Sequence, residues 1–284
     1  MRVRLFTIVF LVSVFVACKK TESVRSSNLP ASSSIDVSYG AESAQKMDVY
    51  LPAGRTAAST KLMLLIHGGG WTSGDKADFN GYISRLQASL PDYAFFNINY
   101  HLFDGTANRF PTQENDVKAA IDFILGKSDE YAVSKRIVLM GASAGAHLAL
   151  LQAYKYVSHV RIKAAVSFFG PTDLLEFYNN PSSPAVQPSL VALLGYSPSQ
   201  NLSIYQQSSP AFFVSNQSIP TILFHGSLDP LVPVSQSILL KNKLDANGVS
   251  NKLVIYPNEG HGWIGVSLDD SFKQIGDFLS ANVK

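Results

Sequence analysis

The stretch Arg136-Ile-Val-Leu-Met140-Gly141-Ala142-Ser143-Ala144-Gly145-Ala146-His-Leu-Ala-Leu-Leu-Gln-Ala153 is the most informative part of this 284-residue sequence. An apolar run typical of a buried strand ends at Met140, and a helix-forming run starts at Ala146. Ser143 between them has a glycine two residues to either side, which leaves room for a sharp turn. Helix N-termini present free amides that favour negative charge. The pattern predicts that Ser143 is a nucleophile; the alternative is that it only caps the helix.

A second apolar run, Leu62 to Ile66, leads into the glycine-rich loop His67-Gly68-Gly69-Gly70-Trp71. Acyl transfer builds negative charge on a carbonyl oxygen, and a backbone without side chains can bring amides within about 3 Å of that oxygen. We expect the amide of Gly69 or Gly70, joined by that of Ala144, to form such an oxyanion hole. The alternative is a phosphate-binding loop, but the sequence lacks the Gly-Lys-Ser/Thr ending of that motif.

Two later strand-like runs end near a carboxylate and a histidine. Ile222 to Gly226 leads to Asp229, and Leu253 to Tyr256 leads to His261. At the same edge of a parallel sheet, Asp229 would orient His261, and His261 would accept the proton of Ser143. Taken singly, each residue is more typical of a turn. The chain order Ser, Asp, His in these strand contexts favours catalysis.

These motifs together resemble the α/β-hydrolase esterases and lipases of the HGGGW type, in the branch of bacterial carboxylesterases and carbohydrate-ester esterases. The matching stretches are His67-Gly-Gly-Gly-Trp71, Gly141-Ala-Ser-Ala-Gly145, Ser209-Pro210, His225-Gly226 with Asp229 and Val232-Pro233, and Gly260-His261-Gly262. The sequence departs from many relatives at Tyr100-His101, where they have Tyr-Arg.

The resemblance implies a serine carboxylic-ester hydrolase with no metal and no organic cofactor. We expect acetyl, feruloyl or other small acyl esters of carbohydrates as substrates, from small molecules to polysaccharides. The alternatives are a general short-chain carboxylesterase or lipase and, in a different class, a non-catalytic α/β-hydrolase scaffold used for binding. The acyl and alcohol specificity and the oligomeric state are left open.

Strand-like and helix-like segments alternate after Ile66, which predicts right-handed crossovers and a mostly parallel sheet of about eight strands with helices on both faces. Two earlier strands, Ile35 to Tyr39 and Met47 to Leu51, predict an antiparallel hairpin at the sheet edge. The predicted later strands are 94–99, 136–140, 162–168, 221–224 and 252–256, and the predicted helices are 78–90, 113–126, 143–156, 235–246 and 270–281.

Residues 171–219 interrupt this alternation with a segment rich in Pro, Ser, Asn and Gln. A loop of that length inside a compact domain is usually functional, and we expect a small lid over the pocket. Phe177, Tyr178 and Tyr196 are candidate substrate contacts, or fill the core of the lid itself. Trp71 is a further candidate contact, with packing as the alternative.

Composition agrees with one enzyme domain over residues 35–284. The chain has 23 basic and 21 acidic residues, and two of the basic ones, Arg2 and Arg4, precede Cys18. Without them the balance is 21 to 21, which argues against a nucleic-acid partner.

The N-terminus has the pattern of a bacterial export signal. Arg2 and Arg4 precede an apolar run from Leu5 to Ala17, too short to span a membrane comfortably. We expect residues 1–17 to be a signal peptide, Cys18 to be lipidated, and residues 18–34 to form a flexible Ser-rich tether. Ordinary cleavage that leaves a free cysteine is the alternative. The implied location is the bacterial cell envelope, anchored to a membrane by lipid.

The remaining titratable residues have less definite roles. We expect His147 to be a core histidine, His67 to brace the glycine loop, and Asp116 to be structural. The sequence reveals no partner for His159 or His225, and no spacing typical of a metal site.

Overall fold

The computed structural model describes residues 29–156 and 162–283. Eight strands of these residues form one sheet in the order β1-β2-β4-β3-β5-β6-β7-β8. All neighbouring pairs from β4 to β8 are parallel, whereas β2 runs antiparallel to both β1 and β4. The strands are β1 Ser32–Ser38, β2 Lys46–Leu51, β3 Lys61–Ile66, β4 Tyr93–Ile98, β5 Ile137–Ala142, β6 Ile162–Phe168, β7 Thr221–Gly226 and β8 Asn251–Tyr256. The predicted mostly parallel sheet with an antiparallel edge hairpin is confirmed.

Helices cover both faces of the sheet, as predicted. They are α1 Asn80–Ser89, α2 Thr112–Gly126, α3 Ala144–Lys155, α4 Leu174–Asn179, α5 Val186–Leu194, α6 Leu202–Gln207, α7 Ser235–Ala246 and α8 Val266–Asn282. Short 3-10 helices span Lys76–Phe79 and Pro210–Phe212.

Strand β3 shows why its sequence is continuously apolar. Successive side chains of a strand point to opposite faces, and here both faces are buried. Leu62, Leu64 and Ile66 belong to the core under α2, α3 and α7, while Met63 and Leu65 belong to the core under α1 and α8. Each such side chain contributes about 1.5–3 kcal/mol by leaving water.

Strand β1 begins at Ser32, three residues before the predicted start at Ile35, so the predicted boundary of the tether at residue 34 is wrong. Ser32, Ser33 and Ser34 pair with residues of β2. Strand pairing uses backbone groups, so three exposed serines can extend an edge strand that their side chains do not predict. Residues 18–31 precede the strand, and those before 29 lie outside the described residues.

The segment 171–219 folds as a helical cap made of α4, α5, α6 and the 3-10 turn at Pro210–Phe212. Its own core includes Phe177, Leu190, Leu193 and Tyr205, all buried. The cap therefore packs as part of the domain, and its role as a lid stays a prediction.

The predicted signal peptide at 1–17, Cys18 and His159 all lie outside the described residues. Over 29–156 and 162–283, no helix has both the length and the apolar character needed to cross a membrane.

Candidate active site

Ser143 lies on the tight turn that joins β5 to α3. Its backbone has φ 53° and ψ −122°, and its amide donates to the Phe168 carbonyl at 2.8 Å. The flanking glycines are required by close packing: a Cβ on Gly141 would lie 2.3 Å from the backbone of Gly145, and one on Gly145 would lie 2.1 Å from the Ile66 oxygen. The side chain is thereby presented at the carboxyl edge of the sheet.

His261 joins Ser143 to Asp229. Its Nε2 is 2.9 Å from the Ser143 Oγ, and its Nδ1 is 2.7 Å from the Asp229 Oδ2. A carboxylate only accepts hydrogen bonds, so Nδ1 carries the proton and Nε2 is free to accept from the serine hydroxyl. The structure therefore brings the three predicted side chains together, and His261 is in the tautomer that a general base needs.

Asp229 is held by groups on both of its oxygens. Oδ1 accepts from the amides of Leu231 at 2.8 Å and Val232 at 3.0 Å. Burial opposes its ionisation, but hydrogen bonds from His225, His261 and the Val232 amide outweigh burial and hold the pKa of Asp229 well below its usual range. The carboxylate is thus charged whenever it is needed to orient His261.

His225 is a second histidine at Asp229 that sequence reasoning did not assign. Its Nε2 donates to the Val232 carbonyl at 2.9 Å and lies 3.3 Å from the Asp229 Oδ2, while its Nδ1 accepts from the Ser237 hydroxyl at 2.7 Å. Both the His225 and Asp229 side chains are fully buried. His225 lies within β7 and Asp229 lies four residues further on, so their contact depends on the turn between them, for which the sequence gives no local signal.

The glycine-rich loop turns through three successive residues with positive φ, Gly69 (104°), Gly70 (60°) and Trp71 (63°). Amides of Thr72 and Ser73 close it by donating to the Gly69 carbonyl. His67 braces it as expected: Nδ1 donates to the Gly68 carbonyl at 2.8 Å. Its ring stacks on Tyr100 with centroids 4.3 Å apart, and burial lowers the pKa of His67.

A cavity of about 410 Å³ opens above Ser143. Gly70 and Ala144, two of the three predicted oxyanion donors, line it together with Ser143. Gly69 shapes the loop behind Gly70 through the hydrogen bonds to its carbonyl. The cap contributes Phe177, Leu190 and Leu193 to the wall, whereas Tyr178 packs edge-on against Tyr205 inside the cap. Tyr196 is half exposed.

Trp71 borders the cavity and also packs inside the domain. It lines the cavity, and its Nε1 donates to the His147 Nδ1 at 3.3 Å. Nε2 of His147 donates to the Ser208 carbonyl at 2.7 Å, and complete burial lowers the pKa of His147 to about 4. The neutral His147 ring thus ties Trp71 to the end of the cap, as a core histidine.

Asp116 has a structural role, because it accepts hydrogen bonds that hold His101 in place. The backbone amide and Nδ1 of His101 both donate to the Asp116 Oδ2, at 2.7 and 2.6 Å, and Gln45 donates to Oδ1. Across residues 29–156 and 162–283, no group of three His, Cys, Asp or Glu side chains is arranged to hold a metal ion.

Replacing Gly69 by alanine should lower kcat by about 10² or more with a smaller change in KM. A Cβ there would lie 2.0 Å from the Ser73 carbonyl oxygen, so the loop must move and its amides with it. Gly105→Ala is a matched control, because its φ of 99° imposes similar strain with open space around the Cβ. Steady-state kinetics on both variants checks this. An effect on KM alone would assign the loop to ground-state binding.

This sheet, with a serine turn after β5, an acid after β7, a histidine after β8 and a cap after β6, defines the α/β-hydrolase fold. The sequence pattern of the BD-FAE family matches residues 47–244, so the chain belongs to this family of esterase-type α/β-hydrolases.

Known proteins resemble the chain over most of its length. Esterase LipC of Mycobacterium tuberculosis is 26% identical over 242 residues, which cover 80% of this chain and 59% of LipC. The chain thus spans less than two thirds of that relative. A bifunctional GH43-CE protein of Bacteroides eggerthii superposes with a TM-score of 0.76 at 27% identity, covering 89% of this chain and 38% of that protein. A truncated carbohydrate esterase from gut microbiota shares the fold, with a TM-score of 0.75 at 23% identity over 89% and 97% of the two chains.

Proposed function

We propose that the protein is a serine carboxylic-ester hydrolase with Ser143, His261 and Asp229 as its catalytic triad. The observation that carries this proposal is the unbroken hydrogen-bond chain from the Ser143 hydroxyl through His261 to a buried, ionised Asp229. The chain of hydrogen bonds ends at a cavity large enough for a small ester.

The geometry supports a two-step mechanism. The Ser143 Oγ attacks the ester carbonyl carbon while His261 Nε2 takes the hydroxyl proton. The carbonyl oxygen becomes an oxyanion stabilised by the Ala144 amide and by a loop amide, for which Gly70 is the better placed candidate. The bond to the alcohol oxygen then breaks, and His261 returns the proton to the alcohol. Water, deprotonated by His261, then attacks the acyl carbon, the bond from that carbon to Ser143 Oγ breaks, and His261 returns the proton to Oγ as the acid leaves.

For the substrate we propose acetyl, feruloyl or other small acyl esters of carbohydrates. The resemblance to a bifunctional GH43-CE protein and to a carbohydrate esterase supports a carbohydrate alcohol. The esterase LipC and the mainly apolar wall of the cavity support the second candidate, a general short-chain carboxylesterase.

A panel of esters on the purified domain tests the proposal. We expect hydrolysis of acetyl and butyryl esters, a fall at octanoyl because apolar cap side chains such as Phe177 and Leu190 wall the cavity of about 410 Å³, and turnover of acetylated and feruloylated sugars. Preference for acetates of simple alcohols over sugar acetates would favour the general carboxylesterase. Absence of turnover on every ester would favour a non-catalytic scaffold.

We further propose that the protein is exported and anchored to a membrane through lipidated Cys18. Several acyl chains on one cysteine hold a protein firmly, whereas one chain gives marginal binding. The wild-type protein should stay with membranes at high salt and partition into detergent, and Cys18→Ser should be soluble or remain an uncleaved precursor. Mass spectrometry that finds an unmodified Cys18 in soluble wild-type protein would contradict the anchor. Activity on soluble esters should be unaffected, because the proposed catalytic residues begin at the glycine loop.

A further inference from the structure

A second cavity, of about 260 Å³, is also lined by His261. It sits on the sheet face covered by α1 and α8, whereas the cavity above Ser143 lies under the cap. Besides His261, six of its thirteen lining residues are aromatic: Phe79, Tyr82, Phe168, Phe169, Trp263 and Phe272. None of the six has a function predicted from the sequence.

The second cavity reaches the reacting atoms. His261 lines both cavities, and its Nε2 is 2.9 Å from the Ser143 Oγ. Gly68 also lines the second cavity, and a Cβ built on it would lie 3.2 Å from the Ser143 Cβ. A group bound in this cavity therefore contacts His261, the side chain that bonds to the Ser143 hydroxyl.

The aromatic wall is fixed by its own contacts. The Trp263 Nε1 donates to the Ser271 hydroxyl at 2.9 Å, so its polar atom is satisfied away from the cavity. Phe169 packs on both His261 and Trp263, with ring centroids 4.4 and 5.4 Å apart. Such a preformed apolar wall can bind a ligand without paying to order itself.

We propose that this cavity is the alcohol subsite, which takes an apolar surface of the alcohol up to the size of a six-membered ring. The inference rests on the proposed esterase function. Ser143, Ala144 and Gly70 line the capped cavity, so the acyl carbon and its oxyanion lie there. The leaving oxygen must reach His261 Nε2 to take its proton, and the second cavity begins at that ring.

Size and polarity agree with this occupant. An apolar cavity of about 150 Å³ accepts benzene, so 260 Å³ accommodates a six-membered ring. The acidic side chain in the lining is Asp78, which disfavours an anionic alcohol. The shared chemistry is an apolar ring surface, supplied either by an aryl group or by the C–H face of a sugar ring.

Two isomeric esters separate the alcohol side from the acyl side. Benzyl acetate carries its ring on the alcohol, and methyl phenylacetate carries it on the acyl group. Relative to methyl acetate, we expect kcat/KM for benzyl acetate to be higher by ten- to a hundredfold, the gain typical of burying a ring. A methyl glycoside acetate, run in parallel, distinguishes the sugar from the aryl source.

Leu268 on α8 offers a site to fill the cavity without touching the catalytic groups. Leu268→Trp should lower kcat/KM for benzyl acetate at least tenfold and leave methyl acetate and methyl phenylacetate within about twofold. Leu268→Ala should keep the wild-type kcat/KM for benzyl acetate and should also hydrolyse naphthylmethyl acetate, whose alcohol is larger. Val266→Trp, on the same helix but 86% exposed, is the matched control and should change none of them.

The outcomes distinguish this inference from the proposed function. Wild-type protein that hydrolyses no ester would overturn the function. Active protein in which Leu268→Trp impairs methyl phenylacetate instead of benzyl acetate would make the cavity an acyl subsite and overturn the inference. An unchanged preference for benzyl acetate in folded Leu268→Trp would overturn it as well.

Discussion

Ser143→Ala and His261→Ala are each expected to lower kcat by about 10⁴ to 10⁶, and the double variant should be little worse than either. Without Oγ no acyl-enzyme forms, and without the imidazole the 2.9 Å hydrogen bond that activates Oγ is lost. Because the two side chains act on the same proton, the second substitution causes little further loss of kcat once the first has been made. Single-turnover kinetics with an acetyl ester measures each loss.

Ser183→Ala is the control. Ser183 lines the same cavity, but the hydrogen bonds of His261 go to Asp229 and Ser143. It should retain activity within about twofold. A serine-directed phosphonate should label wild-type protein and Ser183→Ala but not Ser143→Ala. Near-native turnover by Ser143→Ala would remove this serine from the mechanism.

Asp229→Asn should lower kcat by about 10⁴ while the fold is retained. The amides of Leu231 and Val232 both donate to Oδ1, so the amide oxygen of asparagine must take that position. Its NH₂ group then faces the Nδ1 of His261 at the present carboxylate distance of 2.7 Å. A donor there forces Nδ1 to accept, which places the proton on Nε2 and blocks proton transfer from Ser143.

The same substitution at Asp173 is a matched control. Asp173 Oδ1 also accepts two backbone amides, at the start of α4, and asparagine caps helices equally well. Asp173→Asn should therefore be nearly silent. Asp229→Ala places no donor opposite His261, and recovery of activity in it relative to Asp229→Asn would support the tautomer argument. Equal kcat for Asp229→Asn and wild type would exclude Asp229 as the orienting acid.

The parts of the fold that the sequence predicts are those with local signals. Strand β6 at Ile162–Phe168 and helix α7 at Ser235–Ala246 have the predicted bounds, because apolar periodicity and turn residues mark their ends. Ser143, Asp229 and His261 follow predicted strands, so their proximity follows from a parallel sheet.

Other features depend on contacts that no local pattern encodes. Helices α4 and α6 have six residues each, too few for a clear helical period. Helix α8 begins at Val266, four residues before the predicted start, with Gly265 at its N-terminus. The role of His225 depends on the turn that brings Asp229 back over the end of β7. The second cavity forms only where elements far apart in the sequence meet, among them α1, the ends of β5 and β6, and α8.

The backbone of Ser143 also bears on how stable the protein can be. A residue with a side chain at φ 53° and ψ −122° occupies a region that glycine favours, and such residues destabilise a fold by about 1–3 kcal/mol. The nucleophile therefore lowers the melting temperature of the domain that carries it. A glycine at this position would make the protein more resistant to heat and remove the hydroxyl, so thermal robustness and turnover are opposed at this one residue.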